Sequence, residues 1–212
     1  MPSAPQLTTI LRAWPTVLLF SALCLALAVV VSLVQPLEYS STTKILITPK
    51  VDGVDPYTAS RSAESAADQL ATMLSTSSIY AAVFNAGYDV DRDYFPEDIL
   101  KFQKKWEKTV VTSVTRGSGI MTIKAYHTDP SEAEAIVSAV AYVYVTDGWR
   151  YATGDISVQV IDDPVNSRYP VRPNILVNAF SGLFLGLIAG CGYVLIQADR
   201  IRRQHRIVHS NE

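Results

Sequence analysis

Residues 164–190 read PVNSRYPVRPNILVNAFSGLFLGLIAG. Three prolines, Pro164, Pro170 and Pro173, approach an apolar run in which Gly182, Gly186 and Gly190 recur at every fourth position. Proline fixes φ and drives its predecessor toward extended backbone, so this approach is semi-rigid. A four-residue period keeps the glycines on one helix face, where they form a groove. In lipid, helices associate through close backbone approach at small residues rather than through apolar burial, and Ser181, Ala189 and Gly192 widen the small surface. The run is read as a packing face for a first span, another subunit or a membrane partner. Asn174, just after Pro173, is placed to cap the helix.

The uncharged stretch Ile175–Ile196 has a counterpart near the N-terminus, Val17–Val34. At about 1.5 Å per residue, each run with its flanks is long enough to cross a hydrocarbon core roughly 30 Å thick. The first run is too long for the apolar core of a signal peptide, and Trp14 sits where an interfacial anchor belongs, so it is read as an uncleaved span. Arg200, Arg202, Arg203 and Arg206 follow the second run against Asp199 and Glu212. That excess of arginine holds the tail in the cytoplasm and places both termini there. The expected organisation is a cytoplasmic N-terminus over 1–13, a first transmembrane helix over 14–35, an extracytoplasmic α/β domain over 36–163, a proline-rich connection over 164–174, a second transmembrane helix over 175–196 and a basic cytoplasmic tail over 197–212.

The net charge of −2 and pI near 5.9 leave no basic footprint for nucleic acid. Both cysteines, Cys24 and Cys191, fall inside the apolar runs, so the outer domain is held by its core rather than by disulfides.

Within that domain, β-branched Glu38–Thr48 predicts a strand, and Pro49–Pro56 a loop. Helical spacing marks Ser60–Leu74 and Ile79–Ala86, the second ended by Gly87. A third helix is expected over Pro96–Lys105, with proline at its first position. Thr109–Thr115 and Ile120–Tyr126 form a hairpin across Arg-Gly-Ser-Gly. Asp129 and Pro130 start the clearest helix, running to about Trp149, with Glu132 at capping-box spacing. Ile156–Ile161 is the last strand. The order β-α-β-β-α-β with right-handed crossovers predicts an α+β, ferredoxin-like sandwich between two transmembrane helices.

The chain offers little to catalysis. His205 and His209 belong to the basic tail, and His127 ends a strand with no second histidine or cysteine nearby to share a metal. Asp89, Asp91 and Asp93 imitate a calcium loop, but its glycine position holds Tyr94 and its closing glutamate position holds Leu100. Glu132 and Glu134 lie in a first helical turn, where the helix dipole accounts for them. No Walker loop or nucleophile elbow is present. No catalytic, metal or cofactor residues are assigned.

The C-terminal motif resembles the signature of the Wzz-type chain-length determinants, the polysaccharide co-polymerases, P-x2-P-x4-S-P-K-x11-G-x3-G. Here Pro164 is followed by Ser167, Arg172-Pro173-Asn174, Gly186 and Gly190 at that spacing, with Ser167, Arg172 and Asn174 in place of proline, serine and lysine. LRAWPTVLLF, EYSSTTKILITP, LSTSSIYAAVFNAGY and MTIKAYHTDPSEAEAIVSAVAYVYV also resemble family segments. The resemblance implies a non-catalytic cell-membrane protein that assembles as a ring-like homo-oligomer. Such a protein acts with a polysaccharide polymerase on the growing polysaccharide and sets the length of O antigen, capsule or exopolysaccharide. Ending at Glu212, the chain resembles the short form without a fused kinase. A second reading makes it the transmembrane adaptor of a separate cytoplasmic tyrosine kinase, with Arg200, Arg202, Arg203 and Arg206 as the docking element. A two-span sensor lacks an output domain, and a glycosyltransferase lacks an acidic donor-binding motif.

Overall fold

The computed structural model describes residues 12–50 and 55–208, with side chains described through residue 200. In chain order the elements are α1 (Trp14–Val34), β1 (Tyr39–Pro49), α2 (Pro56–Met73), α3 (Ser77–Phe84), α4 (Ile99–Thr109), β2 (Val110–Val114), β3 (Ile120–His127), α5 (Pro130–Asp147), a 3-10 turn (Gly148–Arg150), β4 (Ile156–Asn166) and α6 (Ile175–Val208). The protein is α+β, with one four-stranded antiparallel sheet and six α-helices among the described residues. It divides into two compact units, Met1–Pro36 with Arg172–Glu212, and Leu37–Val171.

The first unit holds α1 and α6, both long and apolar enough to cross a bilayer. Leu19, Leu23, Leu27, Phe184, Leu185 and Ile188 are all more than half exposed on it. Water penalises such a surface and hydrocarbon does not.

The second unit is built on the sheet, in the order β2-β3-β1-β4. Ser41, Thr43, Ile45 and Ile47 of β1 alternate into the core, beside Met121, Ile123, Ala125 and His127 of β3. The register pairs Ile45 with Met121 and Thr43 with Ile123, so these residues form one buried, mainly apolar face. Helices α2 and α5 cover that face with Ala66, Ala67 and Leu70 and with Ile136, Val137 and Val140. Lys44, Thr48 and Lys124 are exposed on the other face.

Two helices start in the same way. Asp129 accepts from the Ser131 amide at 2.9 Å, and Asp55 accepts from the amides of Tyr57 and Thr58 at 3.0 and 3.1 Å. Each aspartate precedes a proline whose missing N–H is an unsatisfied donor position in any case. The expected loop over Pro49–Pro56 therefore gives way to a helix earlier than Ser60, although residues 51–54 of that loop lie outside the described residues. α4 starts at Ile99 rather than Pro96, because Asp98 is its cap and accepts from the Lys101 amide at 2.9 Å. At the hairpin, Gly117 adopts φ +68, which costs glycine little. Gly119 is needed for space, since a Cβ there would lie 1.9 Å from the Ile47 carbonyl oxygen.

The last turn of α2 leaves carbonyls that its own backbone does not satisfy. Two buried aromatic side chains serve them. The Tyr144 hydroxyl donates to the Leu70 carbonyl at 2.8 Å, and the Trp106 indole N–H donates to the Leu74 carbonyl at 2.9 Å. Burial pushes the Tyr144 hydroxyl well above the usual tyrosine range, which keeps it a donor.

Tyr144→Phe leaves the Leu70 carbonyl buried without that donor and should lower the unfolding free energy by about 1–3 kcal/mol. Tyr142→Phe, on the exposed side of α5, should change it little. Denaturant unfolding followed by tryptophan fluorescence reads both. The cap hydrogen bonds, first from the Thr58 and Ser131 hydroxyls and then from the amides, hold Asp55 and Asp129 below the ordinary aspartate range. A depressed folded-state pKa adds stability that is present above the unfolded value and is lost as pH falls through the folded one. Thermal stability should fall as pH drops below about 4, and the double variant Asp55→Ala/Asp129→Ala should flatten that decline.

Candidate functional site

Pro164 lies inside β4, the edge strand next to β1, where a residue without an N–H is tolerated. Pairing continues past Asn166. The Ser167 N–H donates to the Ser40 carbonyl at 2.7 Å, and its hydroxyl accepts from the Ser40 N–H at 2.9 Å. The Val171 N–H then donates to the Glu38 carbonyl at 2.8 Å. β4 thus runs on past residue 163, and bonding to the start of β1 continues through the proline-rich stretch as far as Val171.

Arg172 and Pro173 are joined by a cis peptide bond. Asn174 accepts from the Val177 N–H at 3.2 Å through its side chain and from the Asn178 N–H at 3.0 Å through its carbonyl. It caps α6 through its first turn.

Along α6 the three glycines face α1. A Cβ on Gly182 would lie 2.6 Å from the Ala28 Cβ and 2.9 Å from the Cys24 carbonyl oxygen. On Gly186 it would lie 2.6 Å from the Ser21 Cα and 2.7 Å from the Phe20 carbonyl oxygen, and on Gly190 3.0 Å from the Val17 Cα. The partner numbers fall as the glycine numbers rise, so the helices run antiparallel and the groove is filled by α1. The amide of Asn178 donates to the Ser32 hydroxyl at 3.0 Å, and the Phe20 and Tyr193 rings lie 5.2 Å apart. The Ser21 hydroxyl donates to the Val17 carbonyl at 2.9 Å and so is satisfied within α1.

The sequence reading did not identify this second half of the contact. Val17, Ser21, Cys24, Ala28 and Ser32 repeat every three or four residues, and Asn174 and Asn178 extend the glycine series toward the start of α6. The signal was present as small residues matched across two runs. Arg200 is exposed on α6, and the backbone of Arg202, Arg203 and Arg206 continues that helix. The side chains of those three lie outside the described residues, as do residues 209–212.

The acids singled out by sequence make bonds that hold the fold. Asp91 accepts from the Asp93 N–H at 2.8 Å, and Glu132 accepts from the Asp91 N–H at 3.1 Å. Glu132 therefore ties the Asp89–Asp93 turn to α5 instead of closing a capping box. Glu134 accepts from the Asn166 amide at 2.6 Å. His127 is buried, and its Nδ1 lies 3.1 Å from the Asp129 backbone nitrogen. Its ring meets Tyr94 edge to face at 4.1 Å. The Lys105 ammonium lies 3.3 Å from the Tyr94 ring centroid and donates to the Tyr94 carbonyl. Burial pushes Lys105 below the usual lysine range and Tyr94 above the usual tyrosine range. Among the described residues no group of three or more His, Cys, Asp or Glu is placed to hold a metal ion.

Gly186→Leu should drive the two helices apart, lowering the stability of the full chain in detergent by about 1–3 kcal/mol. Gly192→Leu should leave it unchanged, because a Cβ at Gly192 meets open space. Thermal melts of the two purified variants make the comparison. No protein-family model matches the chain, and no curated protein matches it.

Proposed function

We propose that the chain is a two-pass cell-membrane protein with both termini in the cytoplasm. On this reading it is a non-catalytic polysaccharide co-polymerase of the chain-length-determinant kind. It sets the modal length of a surface polysaccharide beside a membrane polymerase. The observation that carries the reading is the helix contact at Gly182, Gly186 and Gly190, reached through Pro164 and Pro173 at the spacing of the family signature. Two apolar helices flanking one domain, with arginines following the second, support the topology.

The sheet order β2-β3-β1-β4 supports a ferredoxin-like outer domain, with α2, α3 and α4 sharing the first crossover. Ser167, where the signature has proline, donates its N–H to Ser40, a bond proline lacks. Local rigidity is kept by hydrogen bonding in place of a ring. Since α1 fills the glycine groove, contacts within a ring-like homo-oligomer fall to the outer domain and to the outward faces of α1 and α6.

A second role, as adaptor for a separate tyrosine kinase, draws on the continuation of α6 through Arg200 to Val208. Loss of kinase binding on removal of residues 197–212 would single it out.

Deleting the gene from its host tests the main reading on a polysaccharide gel. The expected result is polymer that is still made, with its preferred length replaced by a broad, shorter distribution. An unaltered length distribution would overturn the reading.

A further inference from the structure

Between α3 and the start of α4, the Leu37–Val171 unit carries a pocket of about 420 Å3. That lies within the roughly 300–1,000 Å3 typical of small-molecule sites. Its floor is aromatic. Tyr80 and Phe102 lie 4.6 Å apart between ring centroids, Phe95 and Phe102 5.2 Å, and Phe84 and Phe95 5.6 Å. Fully buried Trp106 stacks beneath Phe102 at 6.2 Å, with the rings 12° from parallel. The rings brace one another, so the floor is formed before any ligand arrives.

The rim is polar. Arg92, Asp93 and Glu97 are exposed around the mouth. A purely apolar ligand would leave these groups facing it without partners. An ammonium ligand would seek the aromatic faces, but the Arg92 guanidinium already stands 5.4 Å from the Phe84 centroid and the Lys105 ammonium 5.9 Å from that of Phe95. An anion would meet two carboxylates. A neutral polyhydroxylated ring suits every part. Its C–H face lies against the electron-rich ring faces, its hydroxyls donate to Asp93 and Glu97, and they accept from Arg92.

We propose that this pocket binds a neutral sugar ring. The proposal rests on the polysaccharide reading for the source of that sugar, and it adds the site and the ligand class. Tyr80 and Phe102 supply the stacking surface, while Asp93, Glu97 and Arg92 orient the ring through its hydroxyls.

Saturation-transfer NMR on the full chain in detergent micelles tests it. The probes are cellotriose, mannotriose, N-acetylated chitotriose, trigalacturonate and tetramethylammonium, each at roughly 10 mM so that binding in the millimolar range is seen. At least one of the three neutral trisaccharides should receive saturation, and trigalacturonate and tetramethylammonium should not. Asp93→Asn/Glu97→Gln, confined to exposed side chains, should weaken that binding about tenfold, and Tyr80→Ala should do the same. The idea is overturned if no neutral trisaccharide binds, if trigalacturonate or tetramethylammonium binds instead, or if the rim variant binds as the parent does. A gene deletion that leaves polymer length unaltered would sink the co-polymerase reading without touching these binding results. A deletion that alters length, with no sugar bound, would sink only the pocket.

Discussion

Close backbone approach between α1 and α6 is the constraint on which the two-helix unit depends. In hydrocarbon there is no solvent-driven reason for two apolar helices to meet, so contact must come from dispersion at short range and from a few polar bonds. Gly182, Gly186 and Gly190 remove the Cβ atoms that would collide with α1 backbone. The Asn178–Ser32 hydrogen bond fixes the pairing at one end and the Phe20–Tyr193 ring contact at the other. Because the contact is made by glycines on one helix and small residues on the other, its register is set by shape. A slide by one residue would carry each glycine out of the face it needs.

The Leu37–Val171 unit uses different physics. Its core is closed by ordinary apolar burial on one sheet face, with hydrogen bonds from Trp106 and Tyr144 serving the end of α2. Phe95 of this core, with Tyr80, Phe84 and Phe102 packed against it, also forms the floor of the pocket between α3 and α4. The start of β1 and the end of the β4 extension are also bonded to each other, through Ser40 with Ser167 and Glu38 with Val171. The unit's two chain ends therefore lie side by side.

Much of this was legible in the residues. The two apolar runs, the hairpin at Arg116–Gly119 and the Asp129–Pro130 helix start rest on local rules that tertiary contacts do not disturb. The glycine period was legible as a packing face, but its partner was one of three options until the matching stripe on α1 was seen beside it. What escaped was non-local. Asp55 and Pro56 carry the same start signal as Asp129 and Pro130, yet lay in a stretch dominated by loop-forming residues. The extension of β4 past Ile161 depends on β1, which lies 119 positions away in the bond between Thr43 and Asp162. Glu132 and Glu134 were readable as helix-dipole residues, while their bonds to Asp91 and Asn166 required the fold. The pocket was equally hidden, since Tyr80, Arg92, Glu97 and Phe102 belong to three separate segments that only the core brings together.

One complementation experiment reads both the helix contact and the cellular output proposed for it. A strain lacking the gene is supplied with the parent chain, with Gly186→Leu/Gly190→Leu, or with Gly192→Leu, and its surface polysaccharide is sized on a gel. The account predicts that the parent and Gly192→Leu restore a preferred length and that the double variant, present in the membrane at the same level, does not. Restoration by the double variant, or failure of Gly192→Leu alone, would contradict it.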